Sequence, residues 1–207
     1  MEVPIFHSIV KVLVSGGLLK ETRNVSAQCS TAMILFFAGQ KGPNNRALQE
    51  RFQCSDETIT RHLHAVIDAL VAMSPFVITR SDPVPAEIKQ SRKFYPYFKD
   101  CRGAIDGTHI PVHVPEADSA RFMGRKGITM NVLAACSFDL KFTYVLTGWE
   151  GAALDSIIMQ DAVNRDYPIQ DEMYDLGDAG FALTPFMLTP FRNTRYHLKE
   201  YLRGTLT

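Results

Sequence analysis

The stretch CRGAIDGTHIPV, residues 101–112, decides the fold class that the sequence predicts. The short segment 103–105 leads into the dipeptide Asp106-Gly107, and residues 108–114 alternate between polar and apolar side chains. Alternation with a period of two is typical of strands, and Asp-Gly is typical of a hairpin turn. We therefore expect two paired strands that meet at Asp106-Gly107.

The segments after residue 114 continue this pattern. Residues 127–137 and 141–147 are rich in apolar, β-branched and aromatic side chains, which fit a pleated sheet. Residues 155–164 predict a helix with Asp155 as its N-terminal cap, and residues 173–176 predict a short strand. The order of several strands, a helix and a further strand predicts an α/β domain, in which functional side chains lie at strand ends.

Before residue 75 the apolar residues recur at helical spacing. Three helices are expected between residues 26 and 73, and the short turn before the last one gives a helix-turn-helix-like outline. Four of the eleven prolines follow within the next 24 residues, which favours a linker. We expect a helical, helix-turn-helix-like region over residues 1–74, a proline-rich linker over 75–98 and an α/β domain over 99–207.

Composition and charge favour a globular protein. The 207 residues are 46% hydrophobic, and 22 basic residues balance 22 acidic ones, so the chain lacks the basic excess of most free-standing nucleic-acid binders. No apolar run reaches the roughly 18 residues of a membrane span, and the first residues lack the apolar core of a secretory signal. The four cysteines lack zinc-site spacing. We expect a soluble, intracellular protein with reduced cysteines and no membrane partner.

Two aspartates, Asp106 and Asp178, each end a predicted apolar strand. Carboxylates at neighbouring strand ends repel each other unless a divalent cation neutralises them. Mg²⁺ or Mn²⁺ suits such oxygen ligands, and a pair of these ions can assist both the attacking and the leaving oxygen of a phosphodiester. The residues by themselves leave a plainer alternative open, in which both aspartates belong to turns.

Three stretches in combination, residues 101–112, 124–156 and 175–201, resemble the catalytic domain of Harbinger-type transposases and the transposase-derived nucleases related to them. Residues 44–70 resemble the helical region that precedes this domain. The resemblance implies an RNase-H-like mixed sheet, a nuclear location and divalent-metal cleavage of DNA by an Asp-Asp-Glu triad. Asp106 matches the first acid of that triad and Asp178 the second, so both are expected to be catalytic and metal-binding.

The third acid of the family lies on a helix beyond the segment that matches residues 195–201, and Glu200 does not correspond to it. Family members usually carry an arginine directly after an Asp-Ser pair, whereas this chain has Ile157 at that position. The resemblance therefore implies a nuclease domain that is incomplete at its C-terminus, with very slow or undetectable cleavage by the 207 residues. The alternative function is a catalytically inactive remnant that binds DNA or a protein.

Other residues are candidates for metal or DNA contacts. Asp155 is either an additional metal ligand or only a helix cap. His109 could contact a phosphate, but a structural histidine is the favoured interpretation. Residues 94–98 could stack on bases, but core packing is the favoured interpretation. The expected partners are DNA and either a DNA-binding protein or a second copy of the chain. The DNA-binding candidates, for which a solvated basic face is the alternative, are Arg61, Arg125, Lys126, Arg192, Arg195 and Lys199.

Overall fold

A computed structural model of the protein describes residues 1–40, 42–79, 84–124 and 127–191. The chain divides into two compact units, residues 1–77 and 78–207. The first unit contains the helices α1 (Val3–Ser15), α2 (Ala27–Gly39), α3 (Asn45–Phe52) and α4 (Asp56–Val77). The second unit contains α5 (Ala86–Lys89), α6 (Tyr95–Phe98), β1 (Cys101–Pro111), α7 (Glu116–Phe122), β2 (Met123–Gly124), β3 (Gly127–Ser137), β4 (Phe142–Glu150), α8 (Asp155–Arg165), β5 (Tyr174–Leu176) and β6 (Met187–Leu188).

Side-chain caps set the starts of α3 and α4 in the first unit. Asn44 Oδ1 accepts a hydrogen bond from the Ala47 amide at 3.0 Å, and Ser55 Oγ accepts one from the Thr58 amide at 3.3 Å. These contacts satisfy amides that have no partner within the helix. The predicted starts of α3 and α4 are therefore confirmed.

Two features of the first unit differ from the expectation. Helix α1 was not predicted, and α4 continues through Pro75 instead of ending before a proline-rich linker. A proline inside a helix leaves the carbonyl four residues earlier without its donor. Here the hydroxyl of Ser74 donates to that carbonyl, the Val71 oxygen, at 2.8 Å. This replacement hydrogen bond explains why α4 reaches Val77.

A buried histidine joins two helices of the first unit. His62 of α4 is 4% exposed, and its Nδ1 lies 2.8 Å from Ser30 Oγ of α2. Burial, and secondarily the nearby Arg61 charge, lowers the pKa of His62 below its ordinary value of 6.5. The unfolded chain therefore takes up the His62 proton more readily than the folded chain does.

This difference predicts that acid destabilises the chain. Because the folded-state pKa is depressed, the free energy of unfolding should fall as the pH is lowered through about 6.5. Denaturant unfolding of His62→Gln should show a weaker loss between neutral pH and mildly acidic pH. The exposed His64→Gln variant is the matched control and should keep the wild-type pH dependence. Equal dependences for His62→Gln and the wild type would contradict the prediction.

The second unit is built on a mixed sheet with the strand order β4-β3-β1-β5-β6, and the short strand β2 also pairs with β3. Strand β3 runs antiparallel to both β1 and β4, whereas β5 is parallel to β1 and β6 is parallel to β5. The α/β class expected from the sequence is confirmed. The sheet is mixed, as in an RNase-H-like fold.

Strand β1 corrects the sequence interpretation at its most informative point. It is one continuous strand, Cys101–Pro111, in which Asp106 pairs with Ala134 and Gly107 pairs with Leu133 of β3. The expected hairpin turn at Asp106-Gly107 is therefore wrong. Because β3 is an uninterrupted partner along this strand, glycine at 107 does not reverse the chain. A Cβ at this position would lie 2.2 Å from Asp155 Oδ1, so the glycine makes room for that carboxylate.

Helix α8 covers one face of the sheet. Its Ile158 and Ala162 pack with Ile105 of β1 and Leu133 of β3 in one buried cluster. Burial of such side chains is the main driving force for joining a helix to a sheet. Strand β3 has the predicted bounds, whereas β4 extends to Glu150. The fold thus fixes the N-terminal end of α8 against the middle of β1.

Arg102 and Asp175 form a buried ion pair in the second unit. Arg102 of β1 contacts Asp175 of β5 through its guanidinium group and donates to the Pro168 carbonyl at 2.7 Å. The hydroxyl of Tyr167 donates to the same Asp175 oxygen. Asp175 is 5% exposed, so its charge depends on these partners. The pair fixes β5 beside β1.

Three smaller findings complete the description. The four cysteines are free thiols, but of the core positions expected for them only that of Cys101 is buried, whereas Cys29, Cys54 and Cys136 are partly exposed. The expected core packing of residues 94–98 is wrong, because α6 has no buried residue. Within the described ranges, no helix has the length and apolar character needed to cross a membrane.

Candidate functional site

Of the two aspartates singled out in the sequence, Asp106 lies within β1, and Asp178 lies two residues after β5, the parallel neighbour of β1. The pairing of β1 with β5 ends at Ala104 and Leu176. Asp106 and Asp178 each come two residues after that last pair, and side chains two residues apart in a strand share a face. Both side chains are exposed. The register therefore brings both aspartates to the same level of two adjacent strands.

Local backbone contacts hold both carboxylates. Asp106 Oδ1 accepts a hydrogen bond from the Gly107 amide at 2.8 Å, and Asp178 Oδ1 accepts one from the Gly180 amide at 2.7 Å. Each carboxylate keeps its second oxygen free of any hydrogen bond to the residues that the structure describes. Carboxylates held in this way retain oxygens that can accept a cation or a further donor.

Asp155 links these two positions. A Cβ added to Gly180 would lie 2.9 Å from Asp178 Oδ1 and 3.7 Å from Asp155 Oδ2. The other oxygen of Asp155 approaches Gly107, the residue after Asp106. Asp155 is thus the acid that contacts both segments of the candidate site. We call Asp106, Asp155 and Asp178 the carboxylate cluster.

The expectation that Asp155 caps α8 is wrong. The cap position belongs to Leu154, and Asp155 is the first helical residue without a capping contact. Instead, Asp155 Oδ1 accepts a hydrogen bond from the amide of Asn131 at 3.0 Å. The position at the first turn still suits an acid, because the positive end of the helix dipole lies there. Its side chain, however, is oriented towards the sheet.

Asn131 is a residue that sequence reasoning missed. It lies in the middle of β3, is 1% exposed, and its amide also lies 3.4 Å from the Ala153 carbonyl. Its own Oδ1 is buried without a hydrogen-bond partner among the described residues. A buried polar residue needs hydrogen-bond partners. The single asparagine in the largely apolar segment 128–136 could therefore have indicated a polar contact at this position.

A cleft of about 470 Å³ opens beside the cluster. Asp155, Asn131 and His109 line it together with residues 151–154. His109 Nδ1 lies 3.1 Å from Thr129 Oγ1, which supports the structural role that the residues favoured. The opening is wide enough for a polar group to reach Asp155 from solvent.

The remaining predicted site residues divide into two groups. Arg61 is exposed on α4 of the first unit. The candidates Arg125, Lys126, Arg192, Arg195 and Lys199 lie outside the described residues. Among the residues that are described, no three His, Cys, Asp or Glu side chains are arranged to hold a metal ion. Within the carboxylate cluster, Asp155 and Asp178 both lie near Gly180, and Asp106 lies on β1.

Comparisons with known proteins cover both units. Residues 1–72 match a family described as "Domain of unknown function (DUF8040)", and residues 105–203 match the family described as "DDE superfamily endonuclease". The second match includes all three acids of the carboxylate cluster. No solved structure matches the chain.

Curated relatives are similar over part of the chain. "Protein ALP1-like" of Arabidopsis thaliana is 28% identical over 125 residues, which are 51% of this chain and 31% of that protein. "Putative nuclease HARBI1" of Rattus norvegicus is 28% identical over 92 residues, and its Homo sapiens counterpart is 26% identical over the same length. These 92 residues are 42% of this chain and 26% of each of those relatives. The chain therefore spans about a quarter to a third of the length of these curated relatives.

The family match, the relatives and the mixed sheet agree with the motifs around Asp106 and Asp178. Residues 105–203 are thus similar to the DDE superfamily of endonucleases, and the matched relatives support the resemblance to Harbinger-type, transposase-derived nucleases.

Proposed function

We propose that the second unit cleaves DNA phosphodiester bonds with the help of a divalent cation, Mg²⁺ or Mn²⁺, held by Asp106 and Asp178. One observation carries this proposal: Asp155 and Asp178 converge on Gly180, while Asp155 also reaches the residue next to Asp106. Mutual repulsion makes such a grouping costly without a cation. Hard cations prefer carboxylate oxygens and keep several waters, so a few acids are a suitable donor set.

Each residue of the cluster has a distinct role in this proposal. Asp106 and Asp178 bind the cation with the oxygens that their backbone contacts leave free. Asp155 supplies a further oxygen, and the amide of Asn131 keeps that carboxylate oriented, as outer hydrogen bonds do around ligands. When bound, the cation offsets the negative charge that develops on the phosphodiester during cleavage. Gly107 and Gly180 leave the space that this arrangement needs.

The DNA contacts proposed for the first unit follow from exposure and charge. Arg61 and His64 are exposed on α4, which follows α3 after a three-residue turn. Arginine side chains on such a surface contact phosphates without reading the sequence. We include Arg125, Lys126, Arg192, Arg195 and Lys199 in the same proposal from the sequence. A nuclear location and a protein partner or second copy also remain proposals from the family resemblance.

Cation binding tests the proposed site directly. In calorimetric titrations of the chain with Mn²⁺ and Mg²⁺, Asp178→Asn and Asp106→Asn should each bind at least about tenfold more weakly, because each removes an anionic ligand. Asp171→Asn, which removes an exposed carboxylate before β5, is the matched control and should bind as the wild type does. Circular dichroism should show that all variants are folded.

Other outcomes of the cation-binding and DNA-binding measurements would favour the alternative functions. Cation binding that is indifferent to both substitutions would refute the proposed site. DNA binding without any cation binding would instead favour a non-catalytic role, in which the chain holds DNA or a protein. Cleavage of plasmid DNA that requires Mg²⁺ and is lost in Asp178→Asn would support the nuclease.

A further inference from the structure

Residues 89–99 form a surface that combines positive charge with exposed aromatic rings, and we call it the aromatic–basic segment. It contains four cations and no acid, whereas the chain as a whole has no net charge. Phe94 is 44% exposed, Tyr95 45% and Tyr97 73%. Exposed rings that are grouped in one short segment, unlike singly scattered ones, are typical of an interaction surface. The exposed cations are Lys89, Arg92, Lys93 and Lys99.

The rings are held in place although they are not buried. Ser91 Oγ accepts a hydrogen bond from the Phe94 amide at 3.2 Å, at the start of the turn that leads into α6. The rings of Phe94 and Phe98 lie 6.1 Å apart. The hydroxyl of Tyr174, on β5, donates to the Tyr97 carbonyl. The backbone therefore fixes the segment to the sheet and leaves the Tyr97 ring free to contact another molecule.

The cations are also available to a partner. Arg92 forms no ion pair with any residue that the structure describes. Lys99 lies 3.8 Å from Asp100, but both side chains are about half exposed, so that ion pair is weak. The Lys93 ammonium lies 5.4 Å from the centre of the Phe94 ring. Positive charge thus lies immediately beside aromatic faces.

We propose that the aromatic–basic segment binds unpaired nucleotides of a DNA strand. Each nucleotide carries one phosphate and one flat base, and the segment offers a partner to each: Arg92 and Lys93 to phosphates, and the Tyr97 ring to a base. Bases within a duplex already stack on their neighbours, so their faces are not free for such a ring. An acidic peptide would use the cations but would leave the rings without partners.

The position of the segment connects this inference to the carboxylate cluster. The segment precedes β1, and Asp106 lies five residues beyond Cys101, roughly 16 Å further along the strand. A DNA strand held by Tyr97 would therefore be bound by the same unit that carries the cluster. The inference deepens the proposed function, because it names unpaired DNA as the bound form, but it concerns binding and not cleavage.

Fluorescence anisotropy with labelled oligothymidine, in EDTA and low salt, tests the inference on the whole chain. Tyr97→Ala should weaken binding by at least about fivefold, because a lost base–ring stack has at least this effect. Tyr97→Phe should bind like the wild type, since the ring remains. Replacing both Arg92 and Lys93 with alanine should reduce the dependence of log affinity on log salt by roughly 0.7 for each cation.

Controls separate stacking from charge and binding from cleavage. Phe142→Ala removes a ring that is 58% exposed on β4 and should leave the affinity unchanged. Wild-type affinity in Tyr97→Ala, an equal loss for duplex DNA of the same length, or equal displacement by polyglutamate would each overturn the inference. Because EDTA excludes divalent cations, unchanged cation binding in the Asp178→Asn variant would contradict only the nuclease proposal.

Discussion

Replacing Arg102 with methionine is expected to lower the free energy of unfolding by about 3–5 kcal/mol. Arg102 neutralises Asp175, and both side chains are more than nine-tenths buried. Methionine fills a similar volume but leaves the carboxylate of Asp175 in an apolar site with only the Tyr167 hydroxyl as a described side-chain partner. An uncompensated buried charge is far costlier than the absence of an exposed ion pair. The measurement is urea unfolding followed by the fluorescence of Trp149, the single tryptophan.

An exposed ion pair in the same unit is the matched control. Arg121 contacts Glu150, and the Arg121 side chain is 67% exposed. Arg121→Met should therefore change the free energy of unfolding by less than about 1 kcal/mol. A double variant, Arg102→Met with Asp175→Leu, should be more stable than Arg102→Met, because no charge then remains buried. A double variant less stable than the single one would contradict this account.

Gly103→Ala is the second change with a large expected effect, a loss of about 3 kcal/mol or more in the free energy of unfolding. A Cβ at position 103 would lie 2.0 Å from the carbonyl oxygen of Cys136 on β3. Because that atom belongs to the backbone, the clash can be relieved only by separating the two strands. Separation would break the pairing of Gly103 with Ser137 and weaken the centre of the sheet.

Thr108→Ala is the control for this prediction. Thr108 is an exposed residue of the same strand, and its replacement should cost less than about 1 kcal/mol. Urea unfolding followed by Trp149 fluorescence compares the two variants under the same conditions. A Gly103→Ala protein as stable as Thr108→Ala would show that β1 and β3 do not approach each other this closely.

Local patterns in the sequence were sufficient for some of the helices and strands, including α3, α4 and β3. The starts of α3 and α4 follow from Asn44 and Ser55, because a capping side chain acts on amides only two or three residues away. Strand β3 follows from its run of apolar residues, which fits a strand at the centre of a sheet. The motifs around Asp106 and Asp178 were also sufficient to indicate the endonuclease family, since a motif is a property of the chain and needs no coordinates.

Tertiary contacts decided what local patterns left open or indicated wrongly. Asp106-Gly107 has the composition of a turn, but pairing with β3 along its whole length makes the segment a strand, because each backbone group gains a partner there. Pro75 is compatible with α4 because the Ser74 hydroxyl supplies the missing donor. Residues 94–98 resemble core sequence, yet the fold leaves Phe94, Tyr95 and Tyr97 exposed.

The carboxylate cluster shows the same division. The sequence by itself determined that Asp106 and Asp178 follow apolar segments, and a metal site shared by these two acids stays a prediction that rests on the family resemblance. Only the tertiary structure decided that Asp155 faces Gly107 and Gly180 and that Asn131 holds it, because those contacts join residues 24 or more positions apart. Side chains so distant along the chain meet only when β3, α8 and β1 pack together, and no local preference encodes that packing.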